Sequence, residues 1–205
     1  MQPKNFQRPK DLEASKRKYR IMNLYLVRHT RVDVPNGFCY GFTDVPLAET
    51  FISESDEVIR KLQGISFDTI FSSPLTRCAQ LANRIADGNE INFDERLKEM
   101  NFGSWEGKLW DDIYPTAEAK DFFEDFVRNP ANNGECFSDV ISRVKSFIDE
   151  ISSKSEHNDV LIVTHGGPIR AFYSIINGTN PASIFDLQVD YGEVIKLEWR
   201  KDYGV

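Results

Sequence analysis

Val160-Leu161-Ile162-Val163-Thr164-His165-Gly166-Gly167-Pro168 is the stretch on which the fold of this chain turns. Four consecutive aliphatic residues read as a strand buried on both faces, since a half-exposed strand alternates apolar with polar side chains. The run stops at a histidine, two glycines and a proline, with another helix after them. A central strand feeding a helix implies a sheet with helices on both faces.

The same unit recurs to either side. Leu24–Val27 is a short apolar run that ends at Arg28-His29-Thr30, and Thr69-Ile70-Phe71 ends at Ser72-Ser73-Pro74. Leu75–Ala86 reads as a helix beginning near Pro74, a residue suited to a first turn. Leu47, Phe51, Ile52, Ser55, Val58, Ile59 and Leu62 share one helical face, as do Val140, Ile141, Val144, Phe147, Ile148 and Ile151. Ile91–Phe93 is a third short strand, and residues 97–107 form a loop with two glycines. Residues 111–128 are expected to be helical up to Pro130, and Ile184–Val189 with Val194–Trp199 to close the sheet as a hairpin around Tyr191-Gly192. The expected fold is α/β: a three-layer α/β/α sandwich with a mostly parallel mixed central sheet.

Ligands of such sheets bind beyond the carboxyl ends of the strands. Two of the three histidines fall there, His29 and His165, and Arg77 lies one helical turn beyond a third strand. Three polar sites distant in sequence therefore point to one crevice. An arginine beside His29 disfavours the imidazolium and can grip a phosphate with two parallel hydrogen bonds. Arg77 in a first helical turn suits an anion, and Gly166-Gly167 let backbone approach a ligand closely. Taken singly, each has an ordinary structural reading: a histidine bonded to backbone, a solvent-facing arginine, a tight turn.

Composition narrows the classes. The chain has 205 residues, 40% hydrophobic, and a net charge of −7, enough for one core and a poor match to nonspecific nucleic-acid binding. Cys39, Cys78 and Cys136 form no CxxC pair, so neither a zinc knuckle nor a disulfide framework is expected, and no metal or cofactor is called for. No apolar run reaches the roughly 20 residues that span a bilayer. A cytoplasmic protein without membrane partners, a monomer or homodimer, is expected. Residues 1–21 carry seven Lys and Arg against Asp11 and Glu13 and read as a flexible basic extension, a solvated segment from an upstream start codon, with the domain running over 22–205.

In combination the motifs resemble a family. Leu26-Val27-Arg28-His29-Thr30 is similar to the LxRHG signature of the histidine phosphatases, the phosphoglycerate-mutase-like superfamily. Ser72-Ser73-Pro74-Leu75-Thr76-Arg77-Cys78-Ala79 resembles their SSPLxRAxxTA segment, and Leu97–Gly107 their LxExxFGxWEG segment. Val163–Gly167 resembles VxHGG, and the four occur in family order. The resemblance implies a metal-independent phosphomonoesterase. His29 would be the phosphorylated nucleophile. Arg28, Arg77 and His165 would hold the phosphoryl oxygens, and Glu99 would be the general acid and base. Glu106 is the competing carboxylate, with a position more typical of a loop partner.

Thr30 replaces the usual glycine after the histidine, Arg31 a common glutamate, and Pro35 a frequent asparagine. The loop Cys39-Tyr40-Gly41-Phe42-Thr43-Asp44-Val45-Pro46-Leu47 resembles the α-ribazole phosphatase branch, so Thr30, Tyr40, Gly41 and Gly166 join the expected substrate-binding set. The expected partner is a small phosphomonoester, α-ribazole 5′-phosphate. The first alternative is a phosphoglycerate mutase, disfavoured by the short spacing between Glu99 and His165, or a phosphatase of another small phosphorylated metabolite. A pocket that binds phosphate without catalysis is the other.

Overall fold

The computed structural model describes residues 18–154 and 158–203; the expectations for residues 1–17 lie outside them. Among the described residues five strands form one sheet: β1 (Lys18–Arg28), β2 (Thr69–Ser72), β3 (Ile91–Phe93), β4 (Asp159–Thr164) and β5 (Val194–Tyr203). Their spatial order is β3-β2-β4-β1-β5. β3, β2, β4 and β1 run parallel, and β5 is antiparallel to β1 at the edge. The carboxyl ends of the parallel strands share one rim.

Strand periodicity divides the core in two. Leu24, Leu26, Val160 and Ile162 face helices α5 (Phe137–Ile151) and α6 (Gly166–Asn177) on one side. Tyr25, Val27, Leu161 and Val163 face α1 (Phe51–Lys61) and α2 (Thr76–Ala86) on the other. Successive side chains of a strand point to opposite faces, so an unbroken apolar run fills two cores at once. Burying each such side chain stabilises the fold by about 1.5–3 kcal/mol. Cys39, Cys78 and Cys136 are unpaired and buried. Among the described residues no helix is long and apolar enough to cross a membrane.

Three expectations need correction. Ile184–Val189 is not a strand. Pro181–Asp186 forms a 3-10 helix that begins at proline, with the Asn180 side chain accepting from Ala182 N–H. β5 therefore pairs not with that segment but with residues 18–27 of β1. Residues 111–128 do not form one helix: short α3 (Trp110–Ile113) stops before Pro115, and Thr116 caps a new helix, α4 (Ala117–Glu124). Proline offers no N–H to continue the first helix, and the threonine hydroxyl satisfies a free N–H of the second. Finally, β1 begins at Lys18, inside the expected extension. Residues 18–22 pair only with β5, because β4 reaches no further than Asn23.

Candidate active site

The nucleophile candidate follows directly from β1. The N–H of His29 donates to Thr164 O at 3.0 Å, continuing the β1–β4 ladder. The ring is buried, and its Nδ1 lies 2.7 Å from Thr30 O. A carbonyl can only accept, so Nδ1 carries the proton and Nε2 keeps its lone pair. Burial pushes the His29 pKa well below the ordinary 6.5, and Arg77 and Arg28 push it further. The ring is neutral at physiological pH.

His165 ends β4 and sits with its ring centroid 5.1 Å from that of His29. Arg77 Nε–H donates to His165 Nδ1 at 3.2 Å, which places the proton on Nε2, 2.8 Å from Ser73 Oγ. Burial and the Arg77 charge hold this imidazole far below its usual pKa as well. Arg77 is fully buried, and two further N–H groups donate to Thr43 O and Gly41 O at 2.9 and 2.6 Å. The loop after β1 is thereby wrapped onto α2. Asp44 reinforces it by accepting from Thr76 N–H, also on α2. Gly41 is obligatory, since a Cβ there would sit 1.9 Å from Met100 O.

Arg28 Nη1 donates to Val189 O at 2.6 Å, and its guanidinium lies 3.9 Å from the Tyr191 ring centroid. Arg28 Nε and Thr30 Oγ1 are buried with no hydrogen-bond partner among the described residues. Orphaned buried polar atoms are rare in folded proteins, and here the two belong to the residues on either side of the candidate nucleophile, just at the end of β1. They are suited to an anionic oxygen.

Glu99 meets the N-terminus of α6. Its Oε1 accepts from Gly167 N–H and from Met100 N–H, each at 2.9 Å. Both bonds fall on one oxygen, so among the described residues Oε2 accepts no hydrogen bond. Glu106 is occupied differently, accepting from Phe42 N–H, Thr43 N–H, the Thr43 hydroxyl and Phe102 N–H. Burial raises its pKa, but the Thr43 hydroxyl and those amides outweigh burial and hold it below the usual value. It is a loop staple with no oxygen to spare.

A cavity of about 540 Å³ opens over these groups. Arg28, His29, Tyr40 and Glu99 line it, while Arg77, His165, Thr30, Gly41 and Gly166 lie outside its lining. Its outer wall holds Phe102 of the Leu97–Gly107 motif and residues that the motifs did not single out: Trp110, Phe185, Tyr191 and Arg170. Tyr191 and Tyr40 come from separate loops, and their hydroxyls meet at 2.8 Å. Arg170, one turn into α6, donates Nε–H to Leu187 O and lies 5.1 Å from the Phe185 ring centroid. Its position in a helix that begins at a ligand-facing turn was the available signal. Among the described residues no group of His, Cys, Asp and Glu could hold a metal ion.

Comparison with known proteins identifies the family. Residues 24–205 match the family model of the histidine phosphatase superfamily (branch 1). Phosphoserine phosphatase 1 of Hydrogenobacter thermophilus is 28% identical over 89% of this chain and 90% of its own length. The adenosylcobalamin/alpha-ribazole phosphatase of Salmonella typhimurium is 28% identical over 83% of this chain and 87% of its own. The crystal structure of the alpha-ribazole phosphatase from Shigella flexneri superposes with a TM-score of 0.79 at 26% identity, covering 85% of this chain and 89% of that one.

Proposed function

The chain belongs to the histidine phosphatase superfamily and is a phosphoric monoester hydrolase; from that premise we propose that it acts without a metal, through a phosphohistidine at His29, on α-ribazole 5′-phosphate. One observation carries the mechanism: a buried neutral imidazole, its Nδ1–H fixed on Thr30 O, stands beside Arg28 with Arg77 close behind. His29 Nε2 attacks phosphorus and the P–O bond to the leaving group breaks. Glu99 Oε2 gives its proton to the departing oxygen. Water then attacks the phosphohistidine, Glu99 takes the water proton, and the P–N bond breaks to release phosphate. Arg28 and Arg77 stabilise the charge on the phosphoryl oxygens, the largest contribution in such chemistry, and His165 turns its Nε2–H from Ser73 Oγ to the same oxygens. Two guanidiniums supply the positive charge that a metal ion would otherwise bring.

The aromatic wall supports the ribazole substrate. Tyr40, Phe102, Trp110, Phe185 and Tyr191 offer apolar faces to a planar nucleoside base. Arg170 favours a second reading, phosphoserine. A half-buried guanidinium in the wall suits a carboxylate, and the Hydrogenobacter thermophilus relative bears that name. Comparing kcat/KM for the two esters decides: the proposal requires α-ribazole 5′-phosphate to be preferred, and a preference for phosphoserine transfers the assignment.

A further inference from the structure

The loop bearing Glu99 is gripped from behind. Arg143, on α5, lies outside the cavity lining, yet Nη1 donates to Arg96 O and Lys98 O at 2.6 and 2.7 Å, and Nη2 to Glu99 O at 2.9 Å. The hydroxyl of Thr164, next to His165, donates to the intervening Leu97 O at 2.6 Å. Every carbonyl from Arg96 to Glu99 is thus held by a side chain. Arg143 Nε reaches Glu135 Oε1 at 2.9 Å, and Glu135 Oε2 accepts from Asn101 N–H at 2.8 Å. The arginine and its carboxylate partner grip the backbone on both sides of Glu99 and are only 14% and 19% exposed.

We propose that Arg143, oriented by Glu135, is a positioning residue that sets the carboxyl of Glu99 against the leaving oxygen. This rests on the role given to Glu99 above. The geometry asks for a rigid fork: one guanidinium spans three carbonyls and a carboxylate, whereas an ammonium offers the same charge at a single point. Proton transfer to a leaving oxygen depends on the placement of the acid, and a displacement of about 1 Å costs on the order of 10²-fold in rate.

The test compares R143K, E99Q and the double variant on an alkyl phosphate and on nitrophenyl phosphate, with melting temperatures alongside. R143K is expected to lower kcat about 10- to 100-fold with little change in KM. Its losses should rank the two substrates as E99Q does. In the E99Q background it should add less than about twofold, because the group it positions is gone. Where R143K fails to fold, E135Q is read instead and shows the same ranking with smaller losses. Near-native activity of the folded lysine variant overturns the proposal, because charge alone then suffices. So does a loss confined to KM, or one that multiplies with E99Q. Should E99Q slow both substrates equally, the acid role of Glu99 falls, while R143K must still follow E99Q for the clamp to stand.

Discussion

The floor of the crevice and its outer wall are built by opposite means. His29, Arg28 and His165 stand at the ends of β1 and β4, and Arg77 one turn beyond β2, so the sheet itself fixes their spacing. His29, Arg77 and His165 are fully buried. The wall draws Tyr40, Trp110, Phe185 and Tyr191 from four separate loops or short helices, and Phe185 and Tyr191 are exposed. Secondary-structure ends make a stiff platform for chemistry, while surface loops vary at small cost to the fold and carry selectivity. Substitutions in the floor should change the rate for every substrate; those in the wall should redistribute rates among substrates.

The largest effect belongs to the floor. His29→Ala should lower kcat by about 10⁴-fold or more on all phosphomonoesters while the protein still folds. Acid-labile, base-stable phosphate should be trapped on the wild-type protein and absent from the variant. Turnover surviving in the alanine variant would dissolve the distinction between floor and wall.

Glu99 stands between the two regions and sharpens the line. Glu99→Gln should slow alkyl phosphates about 10²- to 10³-fold and nitrophenyl phosphate less than tenfold, since a weakly basic leaving group hardly needs the proton. Transient kinetics on nitrophenyl phosphate should show a burst of one product per site. Equal losses, or a larger alkyl-phosphate loss in Glu106→Gln, move the acid role elsewhere.

In the wall, Arg170→Gln should change kcat/KM for phosphoserine about tenfold or more if that guanidinium binds its carboxylate, and leave nitrophenyl phosphate within about threefold. Uniform losses across both would make Arg170 part of the floor.

Acid exposes the floor through stability. His29 and His165 are held neutral by burial, so their folded pKa values lie below the unfolded 6.5. Below that pH the unfolded chain binds protons that the folded one refuses, so stability is lost as pH falls from about 6.5 toward the folded pKa values. Melting temperatures should decline through this window, and less steeply in His29→Asn. Parallel slopes in the two proteins would show that His29 is not the buried group responsible. The smallest expected effect is none: chelators should leave activity unchanged, measured before and after adding a divalent ion. A loss restored by the ion would place a metal where Arg28 and Arg77 now supply the charge.

Legibility in the sequence follows the same division. Arg28, His29 and His165 abut apolar runs, and local pattern suffices to put them at a rim. The buried run at 160–163 announces its layer in four letters. Ile184–Val189 reads as a strand because its apolar residues match a short β pattern, while the Pro181 start and the long-range β1–β5 ladder decide otherwise. Tyr191 carries no local sign of facing the cavity, since what brings it there is the packing of loops distant in sequence, and Arg170 offers only its place one turn into the helix after His165. Arg143 is the extreme case: on an amphipathic helix a charged residue reads as solvated surface, and only the returning Glu99 loop gives it carbonyls to hold.

The central place of β1 has a consequence for biosynthesis. It is the first of the described strands to leave the ribosome, yet its neighbours on both sides are among the last. Asn23 pairs with Asp159, 136 positions later, and Lys18 with Tyr203. Loops of that length must close before either ladder contributes, so the topology makes for slow folding and a nascent β1 with two open edges. Through most of translation the rim of the crevice does not exist, and the histidine proposed to attack phosphorus follows a strand still without partners.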